Sequence, residues 1–596
     1  MQAHASDESN KPKSLMDWIE WAGNKLPEPA LLFALLAFFV VVMSTAGAAL
    51  DWSVQPVKPS VTTELVIGAD GSSQEMPVLD ENGRPQLKLI ESGAPLQPKA
   101  LMTSDGVYWM MSSMLRNFAQ MPALPLIFAA MLGIGLAEKF GFFGALMRWL
   151  AFMTPARLLT PAVVFLGANS SVASDAGYII LPPLAAALYL AVGRHPIAGL
   201  AAAFAGVAGG FGGGLFPTGG DGVLTGFAQD AARVIDPNYS VSILHNYYFK
   251  IVSAFVVTLG GWLVTDLIVE PRLKRQYPAE LQSAELSAIR DMALSPDERR
   301  SLHASLLTML AVAGLFLALV LIPGMPLHGN GKPTLPNGRV QATQEVKVLP
   351  ANAQLEEGAT LLAREPLTVV AIGPARLAEQ PGPRWSQVIV PMIFIVFLLP
   401  GMVYGWFSGQ LKNQAQLVDA LNHGIRSIVP VMVILFFLAQ FVAYMGYSQL
   451  DRMLAYAGGS ILFNVDVPIP ALIVLFVLVV VMGDFAMSGM LSKFGVLAPI
   501  FIPMFMIVGM SPELTTAAYR IGDSVVNIVT PLNSYMLIIL AVFQKYRNKA
   551  GLGTLIALML PYSVVLGLLW TAILVIWYLT GFPLGPASPL NYSPEM

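Results

Sequence analysis

VVFLGANSSVASDAGYIILPPLAAALYLAVGRHPIAGLAAAFAG, residues 163–206, recurs without a gap as VVVMGDFAMSGMLSKFGVLAPIFIPMFMIVGMSPELTTAAYRIG, residues 479–522. The copies share 11 of 44 positions, among them Val164/Val480, Gly167/Gly483, Pro183/Pro499, Pro196/Pro512 and Gly206/Gly522. Each is an apolar segment, a small polar patch, a second apolar segment, a glycine–proline turn and an alanine-rich stretch. Glycine admits backbone that other residues avoid, and proline cannot donate the helical hydrogen bond, so neither copy is one straight helix. The pattern predicts two re-entrant hairpins, at about 159–193 and about 468–509, within two repeats of one architecture.

The chain around them is apolar throughout. Of its 596 residues 55% are hydrophobic and 12% charged, with a mean hydropathy of +0.64, whereas soluble domains carry about 25% charged residues. Uncharged runs at 30–50, 304–327, 386–410, 428–450 and 552–590 reach the length of about 20 residues that a crossing helix needs. We expect an all-α polytopic membrane protein with about nine transmembrane helices, two re-entrant hairpins, inverted structural repeats and small β-rich external insertions. The expected order is an amphipathic cytoplasmic segment 1–29, a transmembrane helix 30–50, an insertion 51–106 and repeat 1 at 107–270. A cytoplasmic loop 271–303, a transmembrane helix 304–323, an insertion 324–385, repeat 2 at 386–580 and an external tail 581–596 follow.

Lysine and arginine in short loops set the orientation. Arg272, Lys274, Arg275, Arg290, Arg299 and Arg300, then Lys545, Arg547 and Lys549, mark the cytoplasmic side of a cell inner membrane. Lys11, Lys13 and Lys25 place the N-terminus there too, and the uncharged tail falls on the periplasmic side. The first span, with no small-residue cleavage site before it, reads as a retained helix. Both insertions carry turn dipeptides, Asp70-Gly71, Asn82-Gly83 and Asn337-Gly338, beside alternating runs that predict short hairpins, a lid or a dimer contact. No cysteine is present, which excludes disulfides and thiolate chemistry; a net charge of −3 gives no reason to expect a nucleic-acid partner.

An acid at mid-membrane costs about 2.5–3.5 kcal/mol on insertion scales, so each needs a purpose. Asp175, Asp221, Asp484 and Asp523 meet that condition. At the first tip Asn169, Ser170, Ser171 and Ser174 supply neutral oxygens beside Asp175; a polar-capped kink is the structural alternative. Ser488 lies in the second tip, with Phe494 just beyond it. The run holding Gly212, Gly213 and Gly214 reads as unwound backbone facing the hairpin, or as a close helix-packing face. Arg520, Asp523 and Asn527, at i, i+3 and i+7, share a helix face that Pro531 breaks, freeing carbonyls near Val526 and Asn527. The alternative there is a structural Arg520–Asp523 pair. The residues with neutral or anionic oxygens, Asn169, Ser171, Asp523 and Asn527, form a candidate Na⁺ set, and no other cofactor is expected.

Paired interrupted segments in two halves point to the midplane site of a secondary transporter. An ion channel would need a continuous pore ringed by like groups, and a hydrolase would need a nucleophile motif that is missing.

The residues that carry a family likeness are WAGNKLPEP (21–29), SSVASDAGYIILPPL (170–184), GRHPIAGLAAAFAGVAGGF (193–211), Asp236-Pro237-Asn238-Tyr239, Asn246-Tyr247-Tyr248-Phe249, VTDLIVEPRL (264–273), LAPIFIPM (497–504), SPELTTAAYRIGDSVVNIVTPL (511–532) and QKY (544–546). In these the chain resembles the AbgT family, the p-aminobenzoyl-glutamate transporters. The resemblance implies a homodimer of protomers with nine spans and two hairpins, moving p-aminobenzoyl-glutamate or exporting sulfonamide-like antimetabolites with Na⁺ or H⁺. It places the family's hairpin acid on Asp175 and its late acid on Asp523, beside Asn527 and Pro531. Four sites depart from the family pattern: Leu491-Ser492-Lys493-Phe494 replaces Ser-Ala-Lys-Trp, Asp484 an Asn, Gly212-Gly213-Gly214 a Ser-Ala-Asn, and Asp221-Gly222 an Asp-Pro.

Overall fold

The structure, a computed structural model, describes residues 29–67, 73–78, 86–121, 123–173, 176–276, 294–329, 384–484, 487, 489–533, 535–547 and 550–592. Helix α1 (Pro29–Ala49) leads into strands β1 (Val57–Val61), β2 (Thr63–Ile67), β3 (Ser73–Pro77) and β4 (Leu87–Glu91). Helices α2 (Ser104–Ala119), α3 (Ala123–Lys139), α4 (Phe142–Met153), α5 (Leu159–Asn169), α6 (Ala176–Ala191), α7 (Pro196–Gly209), α8 (Gly219–Ala232) and α9 (Tyr247–Val264) follow. A π turn at Thr265–Val269 carries α9 into α10 (Glu270–Gln276), and α11 (Pro296–Leu321) and α12 (Arg384–Gln387) come next. The second half is α13 (Ile389–Phe407), α14 (Gln414–Ser448), α15 (Leu450–Val465), α16 (Ile469–Asp484), α17 (Met490–Ile507), α18 (Pro512–Val526), α19 (Met536–Tyr546) and α20 (Leu552–Thr580).

Among the described residues seven helices are long and apolar enough to cross a membrane, and an eighth crossing is counted if α3 and α4 act as one. Those two bend by 62° at Gly141, whose φ of +85° suits a residue without a side chain. The predicted apolar runs coincide with α1, α11, α13, α14 and α20. In the first insertion the strands are nested: β2 pairs with β3, and β1 closes around them on β4, both antiparallel. The alternating run 86–90 matches β4, and the paired β2 and β3 flank Asp70-Gly71, whereas β3 and β4, on either side of Asn82-Gly83, are not partners. Asp70-Gly71 and Asn82-Gly83 themselves lie outside the described residues, as do Asn337-Gly338 and residues 1–28.

In the two matching stretches α5, α7, α16 and α18 have 11 to 16 residues, fewer than a crossing helix needs. Helix α5 has 11 residues, about 16 Å of rise against a hydrocarbon core of about 30 Å. His195 and Ser511, at matched positions, cap α7 and α18: each accepts a bond from the second or third amide of its helix, and Pro196 and Pro512 open those helices. The same close approach recurs in each copy. A Cβ on Gly206 would stand 2.5 Å from the Val164 carbonyl oxygen, and one on Gly522 2.6 Å from Val480 Cβ, both pairs being matched across the repeat. Helix α5 thus packs on α7 as α16 packs on α18, and α7 and α18 meet between them.

Two further features bear on the site. Arg194, in the turn before α7, bonds Thr160 (2.7 Å), Asp266 (2.5 Å) and Glu270, tying the first hairpin to α9 and α10. Beyond α20 the tail folds back: the amides of Tyr248 and Phe249 donate to Leu584, Ser511 Oγ donates to the Pro589 carbonyl, and the Tyr592 amide donates to Gly509. Residues 313–389 form a second compact unit. Within it the chain turns at Gly324 and Gly329, both at positive φ, and the Arg384 amide bonds the Gly329 carbonyl at 2.9 Å.

Candidate functional site

Four helix ends meet where the repeats break. Helix α5 ends at Asn169, whose Oδ1 accepts from the Leu215 amide at 2.8 Å while its Nδ2 donates back to Phe165. Helix α7 ends at Gly209, and the glycine run that follows is unwound. The Gly212 amide donates to Ser524 Oγ of α18 at 2.8 Å. A Cβ at Gly212 would sit 2.7 Å from that hydroxyl, so the position requires glycine. The run is unwound backbone packed against α18 and not a helix-packing face.

Helix α8 starts with a reciprocal cap in which Asp221 accepts from Thr218. The same carboxylate pairs with Lys250 of α9 at 2.6 Å and with Arg520 of α18 at 2.7 Å. Lys250 also donates to the Phe216 carbonyl (2.9 Å), and Arg520 Nε to Asn246 Oδ1 (3.3 Å). One acid and two cations leave this cluster with a formal charge of +1.

A second cluster joins the tip of the other hairpin to α18. Lys493, near the start of α17, contacts Asp484 at the end of α16 and lies 2.6 Å from Asp523. Asp523 also accepts from Asn527 Nδ2 (3.2 Å) and lies 3.4 Å from Tyr519 Oη, which donates its one proton to the Met490 carbonyl at 2.5 Å. Two acids and one cation give a formal charge of −1. Asp484 Oδ2 is buried and receives no hydrogen bond among the described residues. None of the six charged side chains is more than 5% exposed, so each depends on its partners rather than on water for stabilisation.

The sequence named three of these acids and Arg520, and the structure reassigns their partners. Arg520 and Asp523 do not pair: the guanidinium crosses to Asp221, and Asp523 takes Lys493, because the long arms reach acids on neighbouring helices. Helix α18 ends at Val526, five residues before Pro531, and the expected free carbonyls are engaged. Val526 accepts from Val529 and Thr530, and Asn527 from Asn533 Nδ2. Ser170 Oγ is used on the Gly167 carbonyl (2.7 Å), whereas Ser171 Oγ is buried with no partner among the described residues. Phe494 is fully buried against Tyr519, centroids 4.5 Å apart, and against Phe227. Ser174, Asp175 and Ser488 lie outside the described residues. Of the Na⁺ set, Asp523 and Asn527 touch, while Asn169 bonds Leu215; no cluster of three or more His, Asp or Glu placed to hold a metal occurs among the described residues.

Lys250 and Lys493 were missed as site residues. The signal was present in YYFKIVSAF: a cation in an apolar helix demands a partner just as an acid does.

Broken helices whose ends carry buried, mutually paired charges, set among helices of membrane length, define a membrane transporter. The chain belongs to the AbgT putative transporter family, whose model matches residues 14–337 and 369–592. It is 31% identical to the p-aminobenzoyl-glutamate transport protein of Escherichia coli (strain K12), over 97% of each chain. Among solved structures it is similar to the YdaH transporter of Alcanivorax borkumensis, TM-score 0.74, 30% identity, 94% of this chain and 100% of that one. It is also similar to MtrF of Neisseria gonorrhoeae, described as illuminating a class of antimetabolite efflux pumps, TM-score 0.77, 31% identity, 97% and 100% covered. These relatives are transporters and not enzymes.

Proposed function

We propose that this protein is an ion-gradient-coupled secondary transporter of small organic anions or aromatic amphiphiles, of the p-aminobenzoyl-glutamate or sulfonamide-like kind. It works by alternating access at the bilayer midplane between two inverted repeats, as a homodimer of nine-span, two-hairpin protomers in the inner membrane, with the N-terminus cytoplasmic. The observation that carries the reading is α18, which bears Arg520 in a cationic cluster and Asp523 in an anionic one, less than a turn apart. A substrate carboxylate is drawn to the first and a coupling cation, H⁺ or Na⁺, to the second. The names of the relatives support the substrate class.

The test is reconstitution of the full chain in liposomes with labelled p-aminobenzoyl-glutamate, p-aminobenzoate and a sulfonamide, under Na⁺ and pH gradients imposed separately. Saturable flux driven by one of the gradients is expected. Flux that never saturates, or that ignores both gradients, overturns the reading.

A further inference from the structure

The anionic cluster is unevenly satisfied. Lys493 has three N–H donors, and its two contacts reach one oxygen of each acid, Asp484 Oδ1 and Asp523 Oδ1. The second oxygen of Asp523 takes the Asn527 amide. The second oxygen of Asp484 takes no hydrogen bond among the described residues, although the residue is wholly buried. A carboxylate oxygen enclosed without a donor is costly, and the cluster as a whole carries one negative charge in excess.

Both deficits have a single remedy, and we infer that Asp484 Oδ2 is the oxygen that takes up one proton in each transport cycle. This rests on the ion-coupled reading above. Binding forms one O–H bond with a proton from the solvent on the side to which the site is open, and the same bond breaks when the proton leaves on the other side. With the proton in place the cluster is neutral, and the Lys493 ammonium belongs to Asp523 alone. A metal ion meets a poorer site there, because the sister oxygen already holds an ammonium that repels it.

Among the described residues the charged and titratable groups around Asp484 are Lys493 from α17 and Tyr519 and Asp523 from α18. From α20, which also packs on α16, Tyr562 is committed to Thr265 at 2.7 Å. Asp484 is thus the member of the group with an oxygen to spare. It differs from Asp523, whose two oxygens are both occupied.

Substitution Asp484→Asn mimics the protonated state and fixes it. The measurement uses liposomes loaded with a pH-sensitive dye and labelled p-aminobenzoyl-glutamate or sulfonamide. Accumulation driven by a pH gradient should fall by about tenfold or more, with loss of the dye signal. If D484N still accumulates label with wild-type proton movement, or if the wild type responds to Na⁺ alone, the inference fails while ion coupling stands. If the wild type accumulates nothing under either gradient, the ion-coupled reading fails and takes this inference with it. Should D484N not fold, infrared spectra of the wild type and D484E decide. A protonated-carboxyl band that titrates in the wild type and shifts in D484E is expected, and a band identical in both overturns the assignment.

Discussion

Asp221 and Asp523 are both buried acids, one in each charged cluster, yet their loss should have unequal consequences. Asp221→Asn leaves Lys250 and Arg520 facing each other with no acid, so we expect a loss of about 3–5 kcal/mol, the usual cost of stranding a buried charge. Asp523→Asn leaves Lys493 paired with Asp484, a neutral remainder, so the protein should fold and lose gradient-driven uptake instead. Thermal unfolding in detergent beside liposome uptake checks the order; a D523N protein less stable than D221N would reverse it. At Phe494 the outcome should be structural: Phe494→Ala opens a cavity beside Tyr519 and costs about 3–5 kcal/mol, visible as a lower midpoint of thermal unfolding. The acids were legible in the sequence because an isolated charge in an apolar run stands out. Their partners were not, since spacing along a helix reports which residues share a face but not where a long side chain reaches across to another helix. Arg520 showed this: three residues from Asp523, it bonds an acid 299 positions earlier in the chain.

Helices were more legible than contacts because length and hydropathy are local properties. The five uncharged runs became five helices, and the two polar patches became the two breaks. What escaped was pairing between elements, such as the nested strands. Helix crossing is another case: a Cβ on Gly135 of α3 would lie 2.1 Å from Gly424 Cα of α14, so two glycines at the crossing let the backbones touch. Gly135→Val should therefore force α3 and α14 apart and lower both the yield of folded protein and its unfolding midpoint. Gly314→Ala, in α11 with no atom within 4 Å of the added Cβ, should be neutral or stabilising by up to about 1 kcal/mol. Equal behaviour of the two variants in size-exclusion and thermal assays would contradict this packing. At the first tip Ser171→Cys, in a chain with no native cysteine, should become protected from a polar thiol reagent when labelled substrate is bound; unchanged labelling would remove Ser171 from the site.

At the scale of the whole molecule the two repeats are joined through several helix pairs, among them α7 and α18, which meet at their broken ends, and α3 and α14. The tail adds a further link, seated on Tyr248 and Phe249 at the start of α9 and on Gly509 and Ser511 at the turn before α18. The tail therefore acts as a ruler between those points. Any rearrangement that changes their separation must carry both along or lift the tail off, and each backbone bond lost costs about 0.5–1.5 kcal/mol. Hydrogen exchange can read which of these occurs. If the ends travel as one body, the amides of Tyr248, Phe249, Ser511 and Tyr592 stay protected through the cycle; if the tail lifts, all four exchange together, as a single cooperative unit. Exchange at Tyr592 alone would mean that the tail frays from its end and measures nothing. The last dozen described residues thus set the scale against which motion of the two halves is recorded.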